Sequence, residues 1–504
     1  MNDKLSVLDW SVIGLFLVLM LGLGAYLASR INSFQEYFLA GGALSTPLLI
    51  CTLVSTYYGL DVTFGTSETS FYYGLSAWFW YCLPYYLFIG IAAVLIASRL
   101  RRHDAASLAE LLEQRYGRGM SVLGSAACFV YSAPILAIAG LMTLMSWLGV
   151  PDVWGVLVTV GICAAYTSMG GLWADTISDT VQFVLMCVTI ALALPLAVEW
   201  VGGWSFVDHL PTSADGERIF LSHHGGQGVS VLLTWALAGT TVLVEPAFYQ
   251  RVFAARDTKA ITRALLLGIL LWAAYDWIVV MIGMIAQAAV SQGLLASDLE
   301  GKQALLEVAV TVLPLGLRGI MIGGIIAAAM STIDSYSLLA AGNLVYDIGN
   351  RLLRRPMSDR QLVWAMRGAV VLVLLLSVAT ALFFDRLRHA WLFMASLLAA
   401  TTLVPTMACL FGRPRRGAGL WSGLIGLIGL VAYLVIVIGW GTYNADDKVY
   451  VLTCQLPLLG AVELEQYNGV VVALPCSLIG LALGQLWYRH GPLSEPPPAR
   501  QEAE

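Results

Sequence analysis

The sequence predicts an all-α polytopic membrane protein with about 13 transmembrane helices, and three observations support this fold class. Of the 504 residues, 59% are hydrophobic and only 12% are charged, whereas about 25% of the residues in soluble domains are charged. Apolar stretches of about 20 residues, the length that a helix needs to cross a bilayer, recur along the chain. Two of them are interrupted and lie five spans apart, which predicts a 5+5 inverted repeat with one leading and two trailing helices.

The predicted spans follow one another along the chain. The leading span covers about residues 8–29 and has no basic region before it, so we expect a retained helix and not a cleaved signal. The next twelve, numbered spans 1 to 12, are expected at about 46–72, 74–98, 120–148, 152–169, 176–200, 228–250, 260–292, 304–345, 362–384, 390–411, 417–440 and 469–488. Span 8 (304–345) is too long for one straight helix, and we expect it to bend or to continue past the membrane.

These spans divide the chain into six parts. The parts are the leading helix (1–35), the first five-helix repeat (36–200), an external loop (201–227), the second, inverted repeat (228–411), two trailing helices with the external loop 441–468 (412–490), and a disordered cytoplasmic tail (491–504). The tail combines prolines with acidic residues, a composition typical of disorder.

Basic residues predict the orientation in the cell membrane. With the N-terminus outside, 20 of the 27 lysines and arginines fall in cytoplasmic segments, and cytoplasmic loops carry the excess of basic residues in membrane proteins. We therefore expect the N-terminus outside and the C-terminus in the cytoplasm. No long basic patch indicates nucleic acid, and the eight cysteines show no paired spacing that would indicate disulfides or a metal site.

Two spans read as broken helices. Residues 52–72, TLVSTYYGLDVTFGTSETSFY, are polar and contain Asp61, and residues 234–251, TWALAGTTVLVEPAFYQR, contain Gly239 and Glu245-Pro246. Interrupted spans at corresponding positions of two repeats indicate a transporter binding site. The alternative is a pair of kinked helices packed by their neighbours, and the offset of five spans favours the binding site.

Span 8 carries hydroxyl and carboxylate oxygens at membrane depth. Ser331, Thr332, Asp334 and Ser335 lie within about one helical turn. Polar groups are costly in hydrocarbon and usually face a protein-lined cavity or an ion, and a hard cation prefers oxygen ligands. The alternative is a helix contact lined by hydroxyls, without an ion.

Several motifs in this order resemble the sodium/solute symporter family. They are YFLAGG (37–42), YGL (73–75) at the end of polar span 1, YTSMGGLWA (166–174) followed by SDTVQ (178–182), EPAFYQR (245–251) and MST (330–332). The resemblance runs from about Tyr37 to Phe411. It implies the LeuT-type inverted-repeat fold and the coupling of sodium entry to solute uptake.

The resemblance also implies a sodium site between spans 1 and 8. Span 8 would supply the carbonyl of Ala328 and the hydroxyls of Ser331 and Thr332, and span 1 the carbonyls of Ser55 and Tyr58. Such a neutral cage of oxygens would bind sodium with modest affinity, which suits an ion that must leave again.

A second cation site is implied nearer the cytoplasm, at Asp179, Ser331, Asp334 and Ser335. Asp334 stands where a hydroxyl is expected, so it would either tighten a cation site or make it a proton site. For the solute, the family pattern implies a place beside the sodium site, and the candidates are Tyr57, Asp61, Trp80, Gly239 and Thr241.

We therefore expect a sodium-coupled symporter that imports a small organic solute by alternating access, with sodium as the only cofactor. A proton-coupled symporter or a membrane sensor of the same fold are the alternatives. An enzyme is not expected, because no nucleophile and base occur in a suitable setting. The expected partners are the solute and membrane lipid, and no obligatory protein partner is expected. Asp61 and Glu245 would suit a cationic or amine-bearing solute, but sugars, amino acids, carboxylates and vitamins are also compatible with the sequence.

Overall fold

The computed structural model describes residues 5–28, 33–103, 105–213, 215–350, 353, 356–382, 387–444, 448–456 and 460–489. It confirms a helical membrane protein. The predicted tail 491–504 lies outside the described residues.

The first repeat contains five spans after the leading helix. The leading span is Val7–Ala28, span 1 is Thr46–Tyr57 with Leu60–Tyr73, span 2 is Ala77–Leu100, span 3 is Arg118–Ser132 with Ile135–Trp147, and spans 4 and 5 form Asp152–Trp200. Short helices connect them at Phe34–Leu39, Ala40–Gly42 and Leu108–Tyr116, and the loop 201–227 contains Trp204–His209 and Ile219–Leu221.

The second repeat and the trailing helices follow. Span 6 is Val229–Ala238, Gly239–Val244 and Pro246–Ala254; span 7 is Thr258–Ser291; span 8 is Leu317–Gly342 with Asn343–Asn350; span 9 is Asp359–Ala381; span 10 is Leu387–Leu398, Ala399–Leu403 and Val404–Phe411; spans 11 and 12 are Ala418–Trp440 and Val470–Trp487. Short helices at Gly301–Gln303 and Ala304–Val312 precede span 8.

Among the described residues, ten helices are long and apolar enough to cross a membrane, or eleven with the bent pair of span 1. The sequence predicts about 13. The two numbers differ because spans 4 and 5 run together as Asp152–Trp200 across the kink at Gly171, and because the leading helix, Val7–Ala28, is not among the eleven. The fold class is unchanged by this difference.

Both predicted interruptions occur in the structure. In span 1 the helix stops at Tyr57, and the two halves meet at an angle of 54°. In span 6 the α-helix gives way to a 3₁₀ segment at Gly239, and Glu245 is extended before Pro246 starts the next helix. Proline cannot donate to the preceding turn, so the chain must reorganise its hydrogen bonds there.

The structure divides span 8, as its length predicts, and differs from the prediction in the segment 441–468. The segment 304–345 is not one helix, because it is divided at Pro314 and at Gly316, whose φ of 87° no regular helix allows. The predicted loop 441–468 contains an antiparallel sheet of Thr442–Asn444, Val449–Leu456 and Gly460–Glu465. The middle strand contains two valines, a tyrosine and a threonine, residue types that favour strands.

Gly171 is the point where spans 4 and 5 change direction. Its φ of 52° and ψ of −148° suit glycine alone. A Cβ atom here would lie 2.3 Å from the carbonyl oxygen of Tyr37. The first repeat therefore depends on a glycine at this position.

We expect Gly171→Ala to lower the free energy of unfolding by about 3 kcal/mol or more. Backbone strain costs about 1–3 kcal/mol, and the clash with the Tyr37 carbonyl adds to it. Gly161→Ala, in the helical part of the same element with no atom within 4 Å of its Cβ, is the matched control. Thermal unfolding of the two variants in detergent measures the difference, and equal midpoints would contradict this role of Gly171.

Candidate functional site

Seven buried polar side chains from four spans form what we call the acid cluster. Span 1 contributes two threonines, the start of span 5 two aspartates, the end of span 6 an arginine, and span 8 two serines. They are Thr52, Thr56, Asp175, Asp179, Arg251, Ser331 and Ser335, each 1% exposed or less. The break in span 6 turns its last helix toward span 1, and this brings the arginine into the group.

Asp179 is held by hydroxyl groups. Ser331 donates to its Oδ1 at 2.5 Å, and Thr52 donates to its Oδ2 at 2.6 Å, with Thr56 at 3.5 Å. Thr52 and Thr56 are one helical turn apart and therefore face the same side of span 1. Asp179 thus joins span 5 to spans 1 and 8 through oxygen atoms alone.

Asp175 has a different environment, because it forms a fully buried salt bridge. Arg251 Nη2 lies 3.1 Å from its Oδ2, and Ser335 donates to the same oxygen at 2.7 Å. The same guanidinium nitrogen also donates to Ser335, Thr56 and Thr52. Arg251 therefore neutralises Asp175 and ties the end of span 6 to span 1.

The cluster contains more acid than base. Within the described part of the chain, Arg251 pairs with Asp175, and Asp179 has no salt bridge. Oδ1 of Asp175 also has no hydrogen-bond donor there. A buried carboxylate without a counter-charge is strongly unfavourable. The cluster can therefore accommodate a cation beside Asp179, surrounded by hydroxyl oxygens of the kind that sodium prefers.

The break in span 1 contacts span 8 directly. Thr332 Oγ1 lies 3.1 Å from the carbonyl oxygen of Thr56 and 3.3 Å from that of Ala328. The carbonyl of Ser55 accepts the N–H of Tyr58 at 3.3 Å, which closes the end of the helix. The predicted sodium ligands Ala328 and Thr332 lie at this junction, Ser331 lies beside them on span 8, and Ser55 and Tyr58 close the helix end of span 1. The span 1 carbonyl that contacts Thr332 is that of Thr56.

Three of the four residues predicted for a second cation site, Asp179, Ser331 and Ser335, lie in the acid cluster, and Asp334 lies outside it. Asp179 and Ser331 are in contact, whereas Ser335 bonds to Asp175. Asp334 faces span 4 instead, where Thr167 donates to its Oδ1 at 2.8 Å. On span 8, Asp334 therefore points in a different direction from Ser331 and Ser335, which their proximity in sequence does not reveal.

A cavity adjoins the acid cluster, and its unfilled space, together with the part open to solvent, is about 900 Å³. Thr56 and Thr332 belong to its wall, so the cavity shares two residues with the contact between spans 1 and 8. Spans 2, 3, 6, 7 and 10 complete the wall. Its largely apolar and aromatic wall, with a few polar groups, is typical of sites for small organic molecules.

Two acids and many tyrosines characterise the cavity wall. Tyr58 and Tyr86 both donate to Oδ2 of Asp276 in span 7. Tyr336 of span 8 donates to Glu245, at the break in span 6. The buried polar groups of the cavity therefore surround two carboxylates.

The five residues predicted to bind solute are divided between the cavity and its surroundings. Tyr57 lines the cavity. Trp80 packs outside it in an aromatic group with Trp235, and Gly239 packs against span 2. Thr241 donates to a carbonyl of its own helix at 2.7 Å. The side chain of Asp61 lies outside the described residues.

Sequence reasoning gave little weight to several of these residues. From the sequence alone, Asp175 reads as a helix cap or part of a cation path, Asp276 as a lone acid, and Arg251 as a cytoplasmic charge and a possible partner of Glu245. Thr52 and Thr56, four residues apart on span 1, indicate in the sequence that this helix has a polar face. Recognising the salt bridge required the three-dimensional arrangement, since 76 residues separate Asp175 from Arg251.

Two broken spans, a buried acid cluster and an adjoining cavity together define the class of protein as a membrane transporter with the LeuT-type fold. A model of the sodium:solute symporter family matches residues 37–426. The chain belongs to this family and is a multi-pass membrane protein.

Known proteins share most of this chain. The sodium/pantothenate symporter of Escherichia coli is 25% identical over 443 residues, covering 84% of this chain and 89% of that protein. The high-affinity proline transporter PutP of Bacillus subtilis is 24% identical over 458 residues, covering 86% and 92%. The solved structure of a Na⁺-coupled sialic acid symporter in a substrate-bound outward-open state aligns with a TM-score of 0.79 at 19% identity, covering 97% and 99%, and it shows the same fold.

Proposed function

We propose that this protein imports a small organic solute together with sodium, by alternating access. The observation that carries the proposal is Asp179, a buried carboxylate bonded to hydroxyls of spans 1 and 8 and lacking a salt bridge among the described residues. A sodium ion beside it would supply the missing positive charge. Relatives in the family are named a sodium/pantothenate symporter and a high-affinity proline transporter.

Sodium would bind where the acid cluster meets the break in span 1. Ser331, Thr332, the backbone of residues 55–58 and Asp179 would provide its oxygens. Asp334 is separate from this group, so we assign it no sodium contact.

The shared wall explains how the ion and the solute would be coupled. Thr56 and Thr332 lie between the acid cluster and the cavity, so sodium that orders the break in span 1 also orders the cavity wall. Coupling between two ligands is reciprocal, and bound solute would therefore tighten sodium binding by the same factor. Closure of one group of helices against the other would then expose both ligands to the opposite side.

The direction of transport follows from the proposed orientation, with the N-terminus outside. The acid cluster then lies toward the cytoplasmic ends of spans 5 and 6, where sodium concentration is low. An inside-negative potential adds about 2.3 kcal/mol per charge per 100 mV. Both gradients would drive sodium through the cluster into the cell.

Removing two of the proposed sodium contacts tests this site. We expect 100 mM NaCl, compared with equal KCl, to raise the thermal midpoint of the purified protein, because a ligand stabilises the state that it binds. In Ser331→Ala/Thr332→Ala the sodium-specific rise should disappear. The measurement is a thermal shift in detergent for both proteins and both salts.

Ser337→Ala is the matched control, since Ser337 is a buried serine of the same helix that bonds only to the helix backbone in the described structure. The control should keep the sodium response. A response that survives in the double variant would place sodium elsewhere.

Asp334 supports a proton as a second candidate for the coupling ion. It is fully buried, and within the described structure its Oδ2 lacks a hydrogen-bond donor, apart from the weak donor Cys163 beside it. Uptake that follows pH at constant sodium, and that becomes independent of pH in Asp334→Asn, would favour the proton. Uptake that follows sodium at constant pH would favour the first proposal.

A further inference from the structure

The lining of the cavity indicates what kind of solute it takes, an inference that rests on the proposed transport function. Seven tyrosines and two tryptophans contribute to the wall, and its ionisable acids are Asp276 and Glu245. No lysine, arginine or histidine occurs among the described residues that line it. The nearest buried guanidinium, that of Arg251, is bonded to Asp175 in the acid cluster.

Asp276 is the strongest indication. It is 3% exposed and lies in the middle of span 7, where a carboxylate needs a functional or structural reason. Tyr58 and Tyr86 satisfy its Oδ2. Within the described structure Oδ1 lacks a hydroxyl or N–H donor, and Cys82 beside it can offer only a weak thiol donor. This oxygen is an acceptor available to a ligand.

Glu245 provides a second carboxylate at another part of the wall. Tyr336 donates to its Oε1, and the hydroxyl of Tyr57 faces the same carboxylate. Tyrosine hydroxyls can donate to ionised carboxylates, so these contacts are compatible with charge on both acids. Two such charges in one water-poor cavity repel an anion and attract a cation.

The aromatic wall completes this chemistry. Tyr57 and Trp272 meet edge to face at 5.7 Å, and Tyr85 and Trp391 lie 6.1 Å apart. Rings arranged around a space of molecular size bind quaternary ammonium groups through cation–π attraction, and they do so without hydrogen bonds. A sugar would instead need many polar partners, and a carboxylate would need a basic residue.

We propose that the solute is a small organic cation, whose ammonium group lies between Asp276, Glu245 and the aromatic wall. The hydroxyls of Tyr58 and Tyr86 fix the Asp276 carboxylate for this role. Sodium and the ammonium group would then occupy separate acidic sites, Asp179 and Asp276, on either side of the contact between Thr56 and Thr332.

Choline and its neutral isostere 3,3-dimethyl-1-butanol test the proposal, because they share shape and differ in charge. We expect choline to raise the thermal midpoint of the purified protein in NaCl, and the isostere to leave it unchanged. In Asp276→Asn the apparent affinity for choline should fall about tenfold or more, the usual result of removing one partner of a buried charge pair. The sodium response itself should persist in this variant.

Matched probes decide the remaining outcomes. Proline, glucose and pantothenate in the same assay represent a zwitterion, a neutral sugar and an anion. The cations in the same assay are choline, tetramethylammonium and putrescine. If proline, glucose or pantothenate stabilises the protein more than these cations do, the cation assignment is overturned. It is also overturned if none of the three cations stabilises the protein. In either case a persistent sodium response would leave the proposed symport intact, whereas loss of the sodium response in the wild type would overturn symport itself.

Discussion

Replacing Asp179 by asparagine is expected to weaken the binding of sodium strongly. The substitution preserves size and removes the one acid of the acid cluster that has no salt bridge in the described structure. A charge-assisted contact contributes about 1.5–3 kcal/mol, so sodium affinity should fall by a factor of about 10 to 100. The midpoint of the sodium titration, followed by thermal unfolding in KCl with increasing NaCl, measures this loss.

The same variant should be more stable than the wild type when sodium is absent. Without the ion, the wild-type acid cluster holds two buried carboxylates and the single cation Arg251, and asparagine removes the cost of the surplus negative charge. Asp208→Asn is the control, because Asp208 forms an exposed salt bridge with Arg218 and should not change the sodium response. An unchanged sodium midpoint in Asp179→Asn would exclude this carboxylate from the ion site.

Replacing Arg251 by methionine should have the largest effect on stability. It would leave Asp175 buried and without a counter-charge, beside the second acid Asp179. Breaking a buried ion pair on one side costs about 3–5 kcal/mol. Denaturant unfolding in bicelles, with KCl as the salt, should show this loss.

Two variants separate charge from packing. Arg251→Met/Asp175→Asn should recover much of the stability, since both members of the pair are then neutral. Arg218→Met breaks an exposed pair at 2.8 Å, compared with 3.1 Å for the buried pair, and should cost no more than about 1 kcal/mol. Equal effects of Arg251→Met and Arg218→Met would mean that the buried pair does not stabilise the cluster.

The architecture was accessible from the sequence because it depends on local signals. Apolar length identifies spans, and glycine, proline and polar residues identified the breaks in spans 1 and 6. The predicted boundary between spans 4 and 5 falls at the kink of Gly171. The sequence is less informative for the segment 441–468, which reads as a polar loop but contains strands.

The candidate site was only partly accessible, for a different reason. Ser331, Thr332 and Asp179 could be proposed from motif and chemistry, and the structure brings them together. The pairing of Asp175 with Arg251 and the tyrosines around Asp276 join residues far apart in sequence. One sequence contains no record of such contacts, and a helical face alone does not show what it meets.

Equilibrium binding of radioactive sodium to the purified protein tests the central claim most directly. The buffer contains KCl and no solute, and the wild type, Asp179→Asn and Ser331→Ala/Thr332→Ala are measured side by side. The account predicts saturable sodium binding to the wild type and its loss in both variants, while Asp276→Asn binds sodium normally. No saturable binding to the wild type, or equal binding to all four proteins, would contradict a sodium site at Asp179 and span 8.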